Sequence, residues 1–395
     1  MKCILVIFLC AAAVFSQQPF TFTTGQAARL VVGQPSGFTS QDTNSSDTTI
    51  GSASGIAVAG DTLFVADSNR VGASPSNNRV LLFSNLSSQL PAPTAELQYN
   101  DKCPVCVGQA SVVLGQPDFV TTTQNNTATQ NSLRNPNGIA SDGVHLVVAD
   151  TDANRILIWN HIPTSNDQNA DVVVGQKDFV STGLPGDTPN AQTLRGPEGV
   201  WLQNGKLFVA DTQNNRVLIY NHIPTTNGVA ADVVLGAPNF STYVNPDITQ
   251  QQTGATASTM LSPVSVTSDG ARLFVTDLGF NRVLIFNAIP STNGAAADVA
   301  LGQPDMVSSL SNNAYTGTAA TSSTDTTDKE VPTLCKTTNG VDLYNNPTYP
   351  NACNATLNFP RYALTAGSRL VVADGGNDRV LIWDQTPPTL SLIHI

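Results

Sequence analysis

Five aspartates, each followed by an arginine, are the most regular residues in this sequence that could do chemistry. The aspartates are Asp67, Asp150, Asp211, Asp277 and Asp374, and the arginines are Arg79, Arg155, Arg216, Arg282 and Arg379. A ring of carboxylates could bind calcium, but these lack the alternating Asp/Asn pattern ending in Glu of an EF-hand loop. Because each pair recurs in the same local surroundings, we predict that each aspartate organises a turn or pairs with its arginine.

The histidines do not form a pattern that would bind a metal. His161 and His222 occupy equivalent positions of neighbouring repeats, where the next repeat has Ala288. Equivalent positions of different repeats lie apart in space, whereas a zinc site needs ligands that converge on one point. We therefore predict no metal site and no catalytic group built from histidines.

Four cysteines remain once the first residues are set aside as a targeting segment. They are Cys103, Cys106, Cys335 and Cys353. An even number in an exported chain favours disulfides, and three pairings are open to four cysteines. We predict Cys103–Cys106 and Cys335–Cys353, because the two pairs lie in different insertions. A redox role for the Cys-Pro-Val-Cys motif would need a βαβ context, which the sequence lacks.

The elements that must position these residues come from an internal repeat. Clear copies run from Pro136 to Phe179 and from Pro197 to Phe240, and a third begins at Pro263. Further copies begin near Ser54, with an insertion, and at Pro360. In the three uninterrupted copies, the arginine is followed after 20 residues by a glycine: Gly175, Gly236 and Gly302. A fixed internal spacing of this kind indicates a repeat architecture.

Each repeat reads as four short β-strands. In the copy that begins at Pro136, the first strand is Gly138–Ser141, which ends in the Asp142-Gly143 turn. The next two strands, Leu146–Ala149 and Arg155–Trp159, are rich in branched apolar residues. The fourth strand is Asp171–Gly175. Four antiparallel strands without helical periodicity make one blade of a β-propeller, so we predict an all-β fold of such blades.

The repeat also resembles a known family. Pro-x-Gly-[Ile/Val], Leu-[Phe/Val]-Val-Ala-Asp and Asn-x-Arg-[Val/Ile]-Leu-Ile are similar to the NHL repeat, and the copies cover nearly the whole chain. The added Leu-Gly-Gln-Pro-Asp-Phe segment, which we call the coda, resembles a secreted subtype. The resemblance implies a propeller, usually of six blades. It implies little about function, since propellers serve many unrelated activities.

Five blades can be counted, and the two ends of the chain suggest how the ring closes. Arg29–Pro35 reads as a lone fourth strand, so we expect the N-terminus to close the ring. Residues 17–389 would form the propeller, with a sixth blade in the full-length protein. Residues 390–395, Leu-Ser-Leu-Ile-His-Ile, break the repeat and match the translation of a common sequencing adapter. We expect them to be an artefact.

The first residues and the net charge of the chain indicate where the protein is located and which partners it can bind. Residues 1–16 have Lys2 before a short apolar stretch, typical of a signal peptide, so we predict secretion. The formal net charge of −11 argues against nucleic acid as a partner, because such binding needs a basic surface. No other segment predicts membrane insertion. Five glycosylation sequons occur at Asn44, Asn85, Asn125, Asn239 and Asn354, about as many as chance would give.

Function is the least determined property of the sequence. The long linkers Val120–Asn135, Val180–Gly196, Ser241–Ser262 and Val307–Phe359 share one face of the predicted propeller. Long loops on a rigid scaffold favour binding, so we predict an interaction module whose partner is a protein, a glycan or another copy of the chain. No cofactor is needed for this function.

The alternative is a calcium-dependent hydrolase or lyase of the lactonase or paraoxonase type. Its ion would lie in the channel, beside the positions that precede the strand-one Gly-[Ile/Val]. These positions vary from blade to blade: Ser54, Asn137, Glu198, Val264 and Arg361. Asn137, Glu198 and Arg361 are therefore the candidate channel-mouth residues.

Overall fold

The computed structural model describes residues 28–35, 42, 44–69, 76–91, 107–123, 127–183, 188–244, 254–322, 324 and 327–385. The predicted signal peptide, the Cys103–Cys106 pair and residues 390–395 lie outside these ranges. In the part that is described, no helix is long and apolar enough to cross a bilayer. Helix α1 (Leu86–Gln89) is a single turn.

The described chain is built from short strands. Strand β1 (Val31–Val32) precedes the first blade, which consists of β2 (Ser52–Ala59), β3 (Thr62–Asn69), β4 (Arg79–Phe83) and β6 (Val112–Leu114). Strand β5 (Val107–Gly108) lies between β4 and β6. The second blade consists of β7 (Pro136–Ser141), β8 (Leu146–Asp150), β9 (Arg155–Trp159) and β10 (Val172–Val174). The third consists of β11 (Val200–Gln203), β12 (Lys206–Asp211), β13 (Arg216–Tyr220) and β14 (Val233–Leu235).

Two more blades follow. The fourth consists of β15 (Pro263–Ser268), β16 (Leu273–Asp277), β17 (Arg282–Phe286) and β18 (Val299–Leu301). The linker after it carries β19 (Tyr315–Thr316), β20 (Val331–Pro332), β21 (Gly340–Val341) and β22 (Pro347–Thr348). The fifth blade has three strands, β23 (Pro360–Ala366), β24 (Arg369–Asp374) and β25 (Arg379–Trp383). Within every blade, consecutive strands pair antiparallel, which confirms the predicted all-β propeller of antiparallel blades.

A tight turn joins the second and third strands of the last four blades. These turns are the 3₁₀ helices Thr151–Ala153, Thr212–Asn214, Leu278–Phe280 and Gly375–Asn377. Each ends at a residue with positive φ, namely Asn154, Asn215, Asn281 and Asp378. Asn and Asp tolerate this left-handed conformation better than other side chains, which explains the residue type before each repeat arginine.

The hydrophobic core lies between the blades. Ile156 and Ile158 of the second blade pack with Leu207 and Val209 of the third in one buried cluster. Three similar clusters join the first blade to the second, the third to the fourth and the fourth to the fifth. Strands buried on both faces need apolar residues throughout, which is why they show no polar alternation.

In the described residues, the fifth blade leaves one face uncovered, and the first blade leaves only its innermost strand uncovered. In the fifth blade, Val380 and Ile382 are 60% and 63% exposed, whereas the equivalent Val217 and Ile219 of the third are fully buried. In the first blade, Ile56 and Val58 are 64% and 66% exposed. These side chains belong to faces that, in the inner blades, pack against a neighbouring blade.

Strand β1 lies beside the first blade, in the place that the fourth strand of a preceding blade would take, as the expected closure of the ring by the N-terminal strand requires. Its Gly33 meets Ile50 as Gly175 meets Leu194 and Gly302 meets Leu357 elsewhere in the repeat. Strand β1 pairs in parallel with β5, and within the described residues the fifth blade contains only its own three strands. Val32 packs with Ile50 against the core of the first blade. The N–H of Ile50 also donates to the carbonyl of Gly33 at 3.1 Å.

The outer strands of the first, second and third blades are each protected by the blade that follows. The carboxamide oxygens of Asn166, Asn227 and Asn293 accept the backbone N–H groups of Val113, Val173 and Val234. Each asparagine lies in the loop between the third and fourth strands of the following blade. An exposed strand edge is a template for aggregation, and this contact covers one of its donors.

Candidate functional site

The five candidate residues lie at or just before the innermost strand of their blades. The innermost strands β2, β7, β11, β15 and β23 contact one another in that order. Ser54 donates its hydroxyl to the carbonyl of Pro136 in the next blade at 2.7 Å, so it joins blades. Asn137, Glu198 and Val264 are half-buried, and Arg361 is exposed.

The backbone carbonyls of these residues pack against the preceding blade. A Cβ atom at Gly55 would lie 2.3 Å from the carbonyl oxygen of Asn137, and one at Gly138 would lie 2.1 Å from that of Glu198. Only glycine allows this approach, which explains the glycine of the Pro-x-Gly motif. The carbonyl oxygens of Asn137 and Glu198 are therefore held between blades.

Glu198 has an unusual environment for a carboxylate. Burial raises its pKa, and the attraction of the Arg361 guanidinium opposes that shift. Within the described residues, no ion pair forms between the two side chains, which belong to the third and fifth blades. A half-buried carboxyl group with a raised pKa, at a channel mouth, is a candidate for binding or proton transfer.

The fourth blade departs from the others beside this site. Ser265 stands where the second and third blades have Gly138 and Gly199, and it faces Thr276 across the β15–β16 pair. Both hydroxyl oxygens are buried and have no hydrogen-bond partner among the described residues. A repeat alignment signals the pair, because Thr276 stands where other blades have alanine. An unpaired buried hydroxyl destabilises a fold.

The repeat aspartates are held by their arginines. Arg155 donates from Nε to Oδ2 of Asp150 at 2.7 Å, and the same contact joins the other four pairs. Oδ1 of Asp150 accepts the N–H of Arg134, so both carboxylate oxygens have protein partners. Burial raises the pKa of Asp150, and the attraction of Arg155 works against that shift. The guanidinium also donates to the carbonyls of Ser132 and Phe179.

The asparagine that precedes the repeat arginine in the first four blades links each of these blades to the next. The Asn154 carboxamide oxygen accepts the N–H of Gly196 in the next blade at 2.9 Å. The same contact, which we call the asparagine latch, joins Asn78 to Asn135, Asn215 to Ser262 and Asn281 to Phe359. The recurrence of this asparagine was visible in the sequence, but its interblade role was not.

The longest linker, between the fourth and fifth blades, carries a disulfide and two short antiparallel strand pairs. The predicted disulfide Cys335–Cys353 is confirmed, with a Cα–Cα distance of 5.7 Å. Within its loop, the β21–β22 hairpin displays Val341 and Leu343, which are 61% and 69% exposed. The intervening Asp342 turns inward, where its Oδ1 accepts the N–H groups of Tyr344 and Asn346.

No cluster of three or more His, Cys, Asp or Glu side chains that could share a metal ion occurs in the ranges that the structure covers. Among the candidate residues, Glu198 is the carboxylate whose pKa is raised by burial, and Arg361 is the cation that opposes this shift. The sequence indicated these two positions by their variability. It did not indicate the exposed aliphatic pair of the insertion.

Comparison with known proteins supports no assignment beyond the fold. No family model matches the sequence, so membership of the NHL-repeat family and its subtype stays a prediction. No curated protein matches it either.

Several solved structures are similar. Pseudomonas aeruginosa periplasmic gluconolactonase is 14% identical over 85% of this chain and 82% of its own, with a TM-score of 0.39. Staphylococcus aureus virginiamycin B lyase is 12% identical over 86% of each chain, with a TM-score of 0.35. Kuenenia stuttgartiensis hydrazine synthase is 12% identical over 85% and 78%, with a TM-score of 0.37. Similarities this weak give no information about the activity of this chain.

Proposed function

We propose that this chain is a secreted β-propeller that binds a protein partner through the face carrying its long linkers. The observation that carries the proposal is the β21–β22 hairpin, which presents Val341 and Leu343 to solvent. A folded protein gains nothing by exposing two aliphatic side chains on an ordered hairpin. A partner that covers them gains the free energy of apolar burial.

The hairpin is held rigid from within. The Asp342 N–H donates to the carbonyl of Asn346 at 2.9 Å, and the Asp342 carboxylate accepts from the Asn346 side chain at 2.9 Å. Burial opposes ionisation, but the hydrogen bonds from Asn346 and Tyr344 hold the pKa of Asp342 below its ordinary value. The Cys335–Cys353 disulfide fixes the insertion near the fifth blade. A rigid recognition surface loses little conformational entropy on binding.

The net charge of the chain indicates which kind of partner it would attract. The chain carries a formal net charge of −11, so two copies repel each other and a basic surface is attracted. We therefore infer a protein with an apolar pocket surrounded by lysine or arginine. Attraction of this kind raises the rate of association and weakens with salt.

A second candidate function rests on Glu198. Its raised pKa and its position at the channel mouth suit a hydrolase or lyase that acts on a small molecule in the channel. Calcium, in that case, would need more oxygen ligands than Asn137 and Glu198 supply. The carbonyls of both residues already lie against glycines of the preceding blades.

A variant with a matched control separates the two functions. We would purify the secreted protein, the double variant Val341→Ser/Leu343→Ser and the control Val144→Ser, and use each to capture proteins from extracellular fluid. Val144 is also an exposed valine, 53% accessible, but lies in the β7–β8 hairpin on the opposite face. The proposal predicts that a protein held by the wild type and the control is lost by the double variant.

The contrary outcomes are equally specific. If the captured proteins are the same for all three baits, the hairpin is not the binding site. If the wild type captures nothing and hydrolyses lactones in a manner lost in Glu198→Gln, the channel is the functional site and the protein is an enzyme.

A further inference from the structure

The codas of the first four blades each end in a tight turn on the linker face. In the first, second and fourth blades the turn is led by an aspartate whose Oδ1 accepts two backbone N–H groups. These aspartates are Asp118, Asp178 and Asp305. The hydrogen bonds from Thr121 hold the pKa of Asp118 below its ordinary value, and Ser181 does the same for Asp178. Two residues after each aspartate, an exposed valine follows: Val120, Val180 and Val307.

The third blade keeps the turn but changes its chemistry. Asn239 stands at the aspartate position, and Ser241 replaces the valine. The Asn239 Oδ1 accepts the Ser241 N–H at 3.0 Å and the hydroxyls of Ser241 and Thr242, each at 2.9 Å. Asn239 is exposed, and among the described residues its Nδ2 has no hydrogen-bond partner. The two changes together create an Asn-x-Ser sequon.

This sequon differs from the other described ones in where its hydroxyl points. At Asn85 the hydroxyl of Ser87 donates to Asp61, and at Asn354 the Thr356 hydroxyl is buried and donates to Cys353. At Asn44 the hydroxyl of Ser46 contacts Thr48 and Thr49. In the described part of the chain, the sequon hydroxyl contacts the carboxamide of its own asparagine at Asn239 alone. The fifth sequon, at Asn125, lies outside that part.

We propose that Asn239 is a site of N-linked glycosylation, an inference that rests on the proposed secretion. The Nδ2 nitrogen attacks the anomeric carbon of a lipid-diphosphate-linked oligosaccharide supplied by the secretory pathway. The new C–N bond replaces the bond from that carbon to the diphosphate, which leaves with its electron pair. Nδ2 loses one proton, and no oxidation or reduction takes place.

The folded structure accommodates the product. The hydrogen bonds that Asn239 accepts all come from within three residues, so this part of the turn can form in a nascent chain before the blades assemble. The exposed side chain leaves room for a glycan without moving the core. A glycan there would cover the linker face at the third blade, where the other codas present a valine.

The equivalent turns of the other blades suggest two matched variants that abolish the sequon. Asn239→Asp installs the residue of the other three turns, and Ser241→Val installs the valine that accompanies it. Both variants should fold, because the equivalent turns of the other blades carry the same residues. The wild type and both variants would be expressed in eukaryotic cells in two forms, one with the native residues 1–16 and one with a heterologous signal peptide.

The readout is mass spectrometry of the peptide containing Asn239, before and after enzymatic removal of N-glycans. We expect a glycopeptide in the wild type, conversion of its glycosylated asparagine to aspartate by the glycosidase, and complete loss of the glycopeptide in both variants with unchanged thermal midpoints. Recovery of only unmodified Asn239 from secreted protein would overturn the proposal. Protein that reaches the medium only with the heterologous signal, and is glycosylated there, would refute the proposed secretion and leave this site standing.

Discussion

Arg216 donates from Nε to Oδ2 of Asp211 at 2.7 Å, and both side chains are fully buried. Asn214 donates to the same carboxylate oxygen at 2.8 Å, and the N–H of Arg195 reaches the other oxygen at 2.7 Å. The guanidinium also donates to the carbonyls of Phe240 and Thr193. One ion pair thus fastens the second and third strands of the blade to its coda and to the linker that precedes it.

Removing this arginine should strongly destabilise the protein. Arg216→Met leaves the Asp211 carboxylate buried and uncompensated, and we expect a loss of about 3–5 kcal/mol in the free energy of unfolding. Arg379→Met is the matched comparison, because Arg379 is 28% exposed and its Nη1 has no partner among the described residues. We expect a smaller loss there. Denaturant titration of both variants measures the difference, and equal losses would contradict it.

Stability should depend on pH through Glu198. Because burial raises its folded-state pKa, the stability that this group contributes is complete below its ordinary value of 4.5 and is lost as pH rises through the folded pKa. Wild type should therefore lose stability relative to Glu198→Gln as the pH rises above the ordinary value of 4.5 and through the folded-state pKa. Arg361→Met removes the opposing attraction, so it should enlarge that loss. Urea midpoints across the pH range measure it, and a difference that does not change with pH would be the contrary result.

Calcium should not stabilise the protein. The carbonyl oxygens of Asn137 and Glu198 are held against Gly55 and Gly138, and the nearby Arg361 repels a cation. We expect no stoichiometric channel calcium in purified protein, and equal thermal midpoints in calcium and in chelator for wild type and Glu198→Gln. A rise of several degrees in calcium that Glu198→Gln abolishes would favour the enzyme, because binding to the folded state must stabilise it.

The uncovered face of the fifth blade gives a fourth prediction. Ile219→Ala in the buried third blade should cost about 2–5 kcal/mol of unfolding free energy. Ile382→Ala, at the equivalent exposed position, should change it by less than about 0.5 kcal/mol. Chemical denaturation compares them directly. A similar large cost at both positions would mean that Ile382 is covered in solution, and sedimentation velocity would show whether a second copy covers it.

Features that lie within a single repeat were predicted well from the sequence. The spacing from Arg155 to Gly175 recurs in the next two copies, and it placed the strands and turns of the inner blades. Contacts between blades were harder to predict from the sequence, because they depend on how neighbouring repeats are positioned in space. The asparagine latch and the edge contact of Asn227 with Val173 join residues 42 to 78 positions apart, and a single repeat does not contain both partners.

The N-terminal strand shows the same limit. Arg29–Pro35 has the sequence of a fourth strand, and its Gly33 meets Ile50 as Gly175 meets Leu194, so its place beside the first blade follows the repeat. The pairing of Val31 with Val107 could not be predicted, because Val107 lies in an insertion that the other copies lack. Strand character follows from local residue types, whereas strand pairing depends on which apolar surface lies within reach.

The asparagine latch has a consequence for how such a protein can change in evolution. Each inner blade carries an asparagine that accepts from the following blade and a backbone N–H that donates to the preceding one. A blade is therefore a unit with two complementary ends, and duplicating it in the gene produces a neighbour that already fits. The number of blades is then free to change by whole units, while the linker between two of them diverges independently, as the disulfide-bearing insertion before the fifth blade has done.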